Sequence, residues 1–240
     1  MSFVVIGAAA VLAGFLQAVT GFGSPMVLMM VIPYFYNMVT APAVANSISV
    51  CLAASLAWKF RKNIEWSSCL FPSSIFILFN VLSVQFVKKI DLDFLSLAFG
   101  VFLVILAVYF FLFSKKKPFR ANWATALICG ILSGITSGFF GIGGPLMAIY
   151  FVSATKSKEA YIGNLQFLFT SSTLISMSIR VINGIYTLDL LPTTLLGIAC
   201  IMLGKHLGLR ILNQLNPDLT QKIVYGFVGI SGLINVIQYL

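Results

Sequence analysis

Ten apolar runs, separated by short polar or glycine–proline punctuation, fill almost the whole 240-residue chain. In lipid, runs of this kind are left with helix, because every backbone N–H and C=O must find its partner inside the segment. They cover about Phe3–Val19, Met26–Tyr36, Ala43–Phe60, Leu70–Val87, Phe94–Phe113, Trp123–Phe140, Leu146–Val152, Tyr161–Val181, Leu188–Leu209 and Thr220–Leu240. The second and seventh are too short to cross about 30 Å of hydrocarbon at about 1.5 Å per residue. Only 9% of residues are charged and mean hydropathy is +1.02, whereas soluble domains carry about 25% charged residues. A soluble enzyme domain, a disordered chain and a fibre are excluded. The expected class is an all-α polytopic membrane protein, placed in the inner cell membrane.

The basic residues lie between the runs. Alternating the loops between two sides puts Lys59, Arg61, Lys62, Lys115, Lys116, Lys117, Arg120, Lys156, Lys158, Lys205, Arg210 and Lys222 on one side. Lys88, Lys89 and Arg180 fall on the other. Cytoplasmic loops carry the excess of Lys and Arg, so the first side is expected inside and both termini outside. The first 58 residues hold no lysine or arginine. A basic leader region is therefore missing, and the first run is expected to be a helix of the mature chain. Cys51, Cys69, Cys129 and Cys200 form no CxxC pair and are expected to be buried thiols.

The chain repeats itself. Gly21-Phe22-Gly23-Ser24-Pro25 aligns with Gly141-Ile142-Gly143-Gly144-Pro145, Pro25 and Pro145 being 120 residues apart. Asn46 aligns with Asn164, Asn63-Ile64 with Gly184-Ile185, and Phe99-Gly100 with Tyr225-Gly226, in unchanged order. The expected organisation is a first membrane repeat over 1–114, a basic cytoplasmic linker over 115–120 and a second repeat over 121–240. Five elements per repeat is an odd number, so the second repeat is expected to be inverted.

Both short runs follow a glycine-rich turn with a proline, the pattern that marks a binding site in transporters built from two halves. Glycine lets the backbone bend and lets a ligand approach the amides. Pro25 and Pro145 suit the first turn of a helix, which points its free amides and positive dipole end into the turn. The alternative is close packing by small residues. Neutral amides and hydroxyls inside the membrane can hold an oxyanion without burying a fixed charge. Asn46 and Asn164 recur at matched places, and Gln166 lies beside the second. The candidate substrate-binding residues are Gly21, Phe22, Gly23, Ser24, Pro25, Asn46, Gly141, Ile142, Gly143, Gly144, Pro145, Asn164 and Gln166. Arg180 ends a long apolar run and is expected to snorkel to the interface.

No carboxylate falls at the centre of a run: Glu65, Asp91, Asp93, Glu159, Asp189 and Asp218 all lie near ends. The single histidine, His206, is expected to be interfacial. Metal-ligand spacing and a nucleotide-binding glycine loop are both missing, so no metal, cofactor or enzymatic role is expected.

At these same residues the sequence resembles the sulfite exporter TauE/SafE family of membrane transporters. The resemblance rests on Gly21–Pro25, on the fuller Gly138-Phe139-Phe140-Gly141-Ile142-Gly143-Gly144-Pro145, and on Asn46 and Asn164. It covers essentially the whole chain. It implies duplicated membrane helices and movement of small organosulfur or sulfur oxyanions such as sulfite, sulfonates and sulfoacetate. Here the first turn reads Gly-Ser-Pro where Gly-Gly would be typical, so Ser24 makes the two half-sites unequal. The expected function is secondary transport of small anions by alternating access around two facing helix N-termini. A passive anion channel and a non-transporting scaffold are the alternatives. Expected partners are a small anionic substrate and the lipid bilayer, with a second copy of the chain left open and nucleic acid excluded.

Overall fold

The computed structural model describes residues 2–113 and 121–211, with Leu233, Val236 and Ile237 as single positions beyond. The 115–120 linker and, apart from those three positions, the tenth run, Thr220–Leu240, lie outside the described residues. Among the described residues all regular structure is helical: α1 (Ser2–Thr20), α2 (Ser24–Met29), α3 (Ala41–Lys59), α4 (Trp66–Phe86), α5 (Leu92–Phe113), α6 (Trp123–Phe140), α7 (Gly144–Ala154), α8 (Lys158–Ile182) and α9 (Leu191–Ile211). Among the described residues six helices are long and apolar enough to cross a membrane, and the chain is an all-α, multi-pass membrane protein.

Local chemistry sets the boundaries. Asn122 opens α6 with a reciprocal cap: Thr125 N donates to Asn122 Oδ1 at 2.8 Å, and Asn122 N to Thr125 Oγ1 at 3.0 Å. Ser157 caps α8 through Ala160 N at 3.1 Å. Asp91 caps α5 through Asp93 N and Phe94 N, both at 3.0 Å. The second run departs from the expected single helix over about Met26–Tyr36. Its α-helix stops at Met29, and a 3₁₀ turn, Ile32–Tyr34, follows. Pro33 has no N–H to continue the ladder and disfavours helix in the residue before it.

The principal packings are α1 on α9, α4 on α6 and α3 on α8. Exchanging α1–α4 for α6–α9 turns α1·α9 into α6·α4 and α3·α9 into α8·α4, leaves α3·α8 unchanged, and all of these contacts occur. Glycine makes the first two close. A Cβ at Gly14 would lie 2.1 Å from Ile201 O, and one at Gly204 1.9 Å from Val11 O. On α6, Gly134 and Gly138 meet the α4 backbone in the same way, at 2.6 Å from Phe76 O and 2.7 Å from Asn80 O. Without a hydrophobic force between helices in lipid, such close backbone approach is what holds them together.

The connections sort to two ends. Glu65 Oε1 accepts from Lys156 N at 3.1 Å, bringing the α3–α4 and α7–α8 connections to one end. Lys88 Nζ donates to Asn183 O, joining the α4–α5 and α8–α9 connections at the other.

Candidate functional site

The two glycine–proline turns end their helices in the same way. Gly21 N donates to Gln17 O and Gly141 N to Ser137 O, both at 2.9 Å. Both glycines take the left-handed conformation, φ 85° and 72°, which costs glycine nothing and other residues more. The chain then reverses into α2 and α7. A Cβ on Gly144 would touch the Phe22 ring at 3.3 Å and the Phe169 ring at 3.4 Å, so residues of the two turns abut.

Between the turns lies a cavity of about 40 Å³. One water needs about 10–15 Å³ by this measure, so the space holds a few waters or one compact ion. Of the expected residues, Phe22, Gly23, Pro25, Asn46, Gly141, Ile142, Gly143, Gly144 and Pro145 line it. Asn46 supplies its most conspicuous group. The residue is only 5% exposed, yet its carboxamide has no hydrogen-bond partner among the described residues. It lies against Gly141, whose added Cβ would be 3.3 Å from Asn46 Nδ2. Ser49, one turn along α3, has a buried hydroxyl with no partner and lines the same cavity. Ser137 Oγ accepts from Asn80 Nδ2 at 2.9 Å, which leaves its own proton free to point into the space. Among the described residues no charged side chain lines the cavity.

Four of the expected residues lie off the lining. Gly21 and Gln166 hold the first turn from behind: Gln166 Nε2 donates to Gly21 O, and Gln166 Oε1 accepts from Gln17 Nε2 at 3.1 Å. Gln17 Oε1 in turn accepts from Ser24 N at 3.2 Å, taking the first free amide of α2. Ser24 itself is buried, with an unpartnered hydroxyl. Asn164 is turned to another task. Its Oδ1 accepts from Glu65 N at 2.9 Å and its Nδ2 donates to Ser68 Oγ at 3.3 Å, tying the start of α4 to α8. From α8 the cavity is lined instead by Phe169, Ser172 and Thr173.

The glycine at 143 serves packing. Its φ is −119°, open to any residue. A Cβ there would lie 2.6 Å from Phe76 Cε2 and 2.8 Å from Ser133 O, so only hydrogen fits. Arg180 also departs from expectation. It does not snorkel but is fully buried, its guanidinium donating to Gly138 O at 2.6 Å and Val39 O at 3.2 Å.

Gln17, Met26, Ser49, Val50, Ala53, Ser137, Phe169, Ser172 and Thr173 complete the described lining without having been singled out as site residues. The signal for Gln17 and Ser137 is their spacing of 120, the same as that of the two prolines.

Membrane-length helices surround a small cavity, largely apolar with a few amides and hydroxyls, where two short helices begin, and this is the arrangement of a polytopic membrane transporter's binding site. The sulfite exporter TauE/SafE family matches residues 6–234, and the chain belongs to that family. The chain is similar to a probable membrane transporter protein of Methanocaldococcus jannaschii, 23% identical over 240 residues covering 92% of this chain and 90% of that protein. No solved structure matches it.

Proposed function

We propose that the protein is a secondary transporter of compact anions, sulfur oxyanions in the first place, which bind between the two glycine–proline turns. The observation that carries this reading is the Asn46 carboxamide, without a partner among the described residues, at a small cavity that none of their carboxylates lines. An amide open to the cavity and held by no protein group is free to donate to an anion there, and a hydrogen bond to a charged group is the stronger kind. The α7 N-terminus adds about half a positive charge close by. The six-residue α2 contributes less, because its first amide is already bound by Gln17. A cation or zwitterion would find no counter-charge. The family's description as a sulfite exporter supports sulfur oxyanions within the anion class, and the cavity's 40 Å³ favours sulfite over longer sulfonates.

The exchange-symmetric packing supports two inverted repeats that rock about the α3·α8 contact. The end carrying Lys59, Arg61, Lys62, Lys156 and Lys158 is read as cytoplasmic and the end carrying Lys88 and Lys89 as outside. The test is thermal unfolding of the purified protein against sulfite, sulfoacetate, taurine, sulfate, lactate and chloride. Stabilisation by sulfite and not by zwitterionic taurine is expected. Stabilisation by taurine alone would overturn the anion reading.

A further inference from the structure

We infer that Arg180 is a second anion station, lying between the central cavity and the outer end of the helix bundle. This rests on the anion-transport reading above.

Among the described residues Arg180 is the largest fully buried side chain. Among the described residues, two neutral carbonyls, Val39 O and Gly138 O, accept from it, its Nε–H has no acceptor, and no carboxylate pairs with it. A cation inside a membrane protein is expensive unless its charge is answered. Bracing two carbonyls needs only neutral donors. What a guanidinium adds is charge, together with a planar fork matched to an oxyanion.

Its position says where that charge acts. Ser172 and Thr173 line the cavity. Ser176 and Arg180 continue Ser172 one and two turns along the same face of α8, and all three are buried. At its other side, Val39 borders an outer hollow of about 340 Å³ shared with Thr40, Lys88 and Gly184. Gly138 is the chain neighbour of Ser137, which lines the cavity. The guanidinium thus stands between hollow and cavity, touching a residue beside each. A compact oxyanion drawn in by Lys88 takes up the free Nε–H, displaces one carbonyl, and moves inward along Ser176 towards Ser49 and Asn46. The charge that is unanswered at rest is answered in transit.

Two readouts on the full chain test this. The first is uptake of ³⁵S-sulfite into proteoliposomes by Arg180→Gln and Arg180→Lys. The Gln variant is expected to lose at least about tenfold in initial rate and the Lys variant to stay within about threefold, because rate follows charge at low dielectric. Equal losses, or none in either, would mean a brace or an idle residue and would overturn the proposal. Ser176→Asp is the second variant, should Arg180→Gln not fold. It sets a carboxylate four residues from Arg180, answers the charge permanently, and is expected to cut uptake to the same degree; unchanged uptake would count against the station.

The second readout needs no transport. Val39→Cys, with the four native cysteines replaced, is reacted with anionic 2-sulfonatoethyl and cationic 2-trimethylammonioethyl methanethiosulfonate. The anionic-to-cationic rate ratio is expected to fall about fivefold or more on adding Arg180→Gln. A fall in the ratio with no sulfite uptake by the Val39→Cys parent would refute sulfite transport and leave the station standing. Uptake with an unmoved ratio would refute the station and leave transport standing.

Discussion

Replacing Asn46 separates a binding role from a structural one, because the side chain holds no described residue by a hydrogen bond. Its carboxamide makes no hydrogen bond among the described residues, so Asn46→Ala strands no partner. Folding stability should change by less than about 1 kcal/mol. Binding should change far more. One donor to a charged group is worth about 1.5–3 kcal/mol, roughly a ten- to 150-fold loss of affinity for the anion. Asn46→Asp keeps the size and sets a negative charge beside the ligand. At about 4 Å with an effective dielectric of about 20, the repulsion is about 4 kcal/mol, close to a thousandfold. The expected order of affinity is wild type, then Asn46→Ala, then Asn46→Asp. Calorimetric titration of the three purified proteins with sulfite measures it, and thermal unfolding without ligand supplies the stability control. If Asn46→Asp binds as tightly as wild type, Asn46 does not touch the ligand. If it binds more tightly, the ligand is a cation and the reasoning fails at its root.

Asn164→Ala should do the reverse. It removes the acceptor of Glu65 N and the donor to Ser68 Oγ, lowering stability by about 1–2 kcal/mol while sulfite affinity stays within about twofold. Gly143→Ala forces a methyl against Phe76 and the Ser133 carbonyl. Overpacking of this kind costs about 1–3 kcal/mol, read as a lower melting temperature and yield in step with any lost transport; full yield with lost transport would point to the ligand instead. In intact cells, Lys89→Cys should react with an impermeant thiol reagent from outside, and Lys62→Cys only after permeabilisation. The opposite pattern would invert the assigned topology.

Much of the fold was legible because lipid leaves the backbone few choices. α6 begins and ends at Trp123 and Phe140, as the apolar run does, since Asn122 and Gly141 are unambiguous punctuation. The two turns were legible as a repeated glycine–proline pattern, and their residues do meet around one cavity. Register inside the long helices was not. Matching Asn46 to Asn164 by identity assumed a spacing of 118, whereas the cavity is lined by Asn46 and Ser49 of α3 and by Phe169 and Ser172 of α8, whose spacing is 123. Five residues along a helix is nearly one and a half turns, enough to send Asn164 to the start of α4. Arg180 misled for a different reason. A basic residue at the end of an apolar run reads as interfacial, and only the tertiary fold shows that Val39 and Gly138 close over it. The glycines of α1, α6 and α9 gave no apolar signal at all, because their contribution is the absence of a side chain.

The α1·α9 contact has a consequence for how the protein is made. The α1 helix, made well before α9, carries a face around Gly14 that packs closely on that later helix. At about 5–20 residues per second, α1 waits in the bilayer for roughly ten to thirty-five seconds before α9 follows. Until then its backbone groove is exposed to lipid and to any other small-residue helix passing through the same translocon. Each half therefore matures on a scaffold supplied by the other, and a ribosome that stalls after α5 releases a set of helices missing their intended neighbours. Co-synthesis of the two halves as separate chains would restore those neighbours without restoring the covalent link.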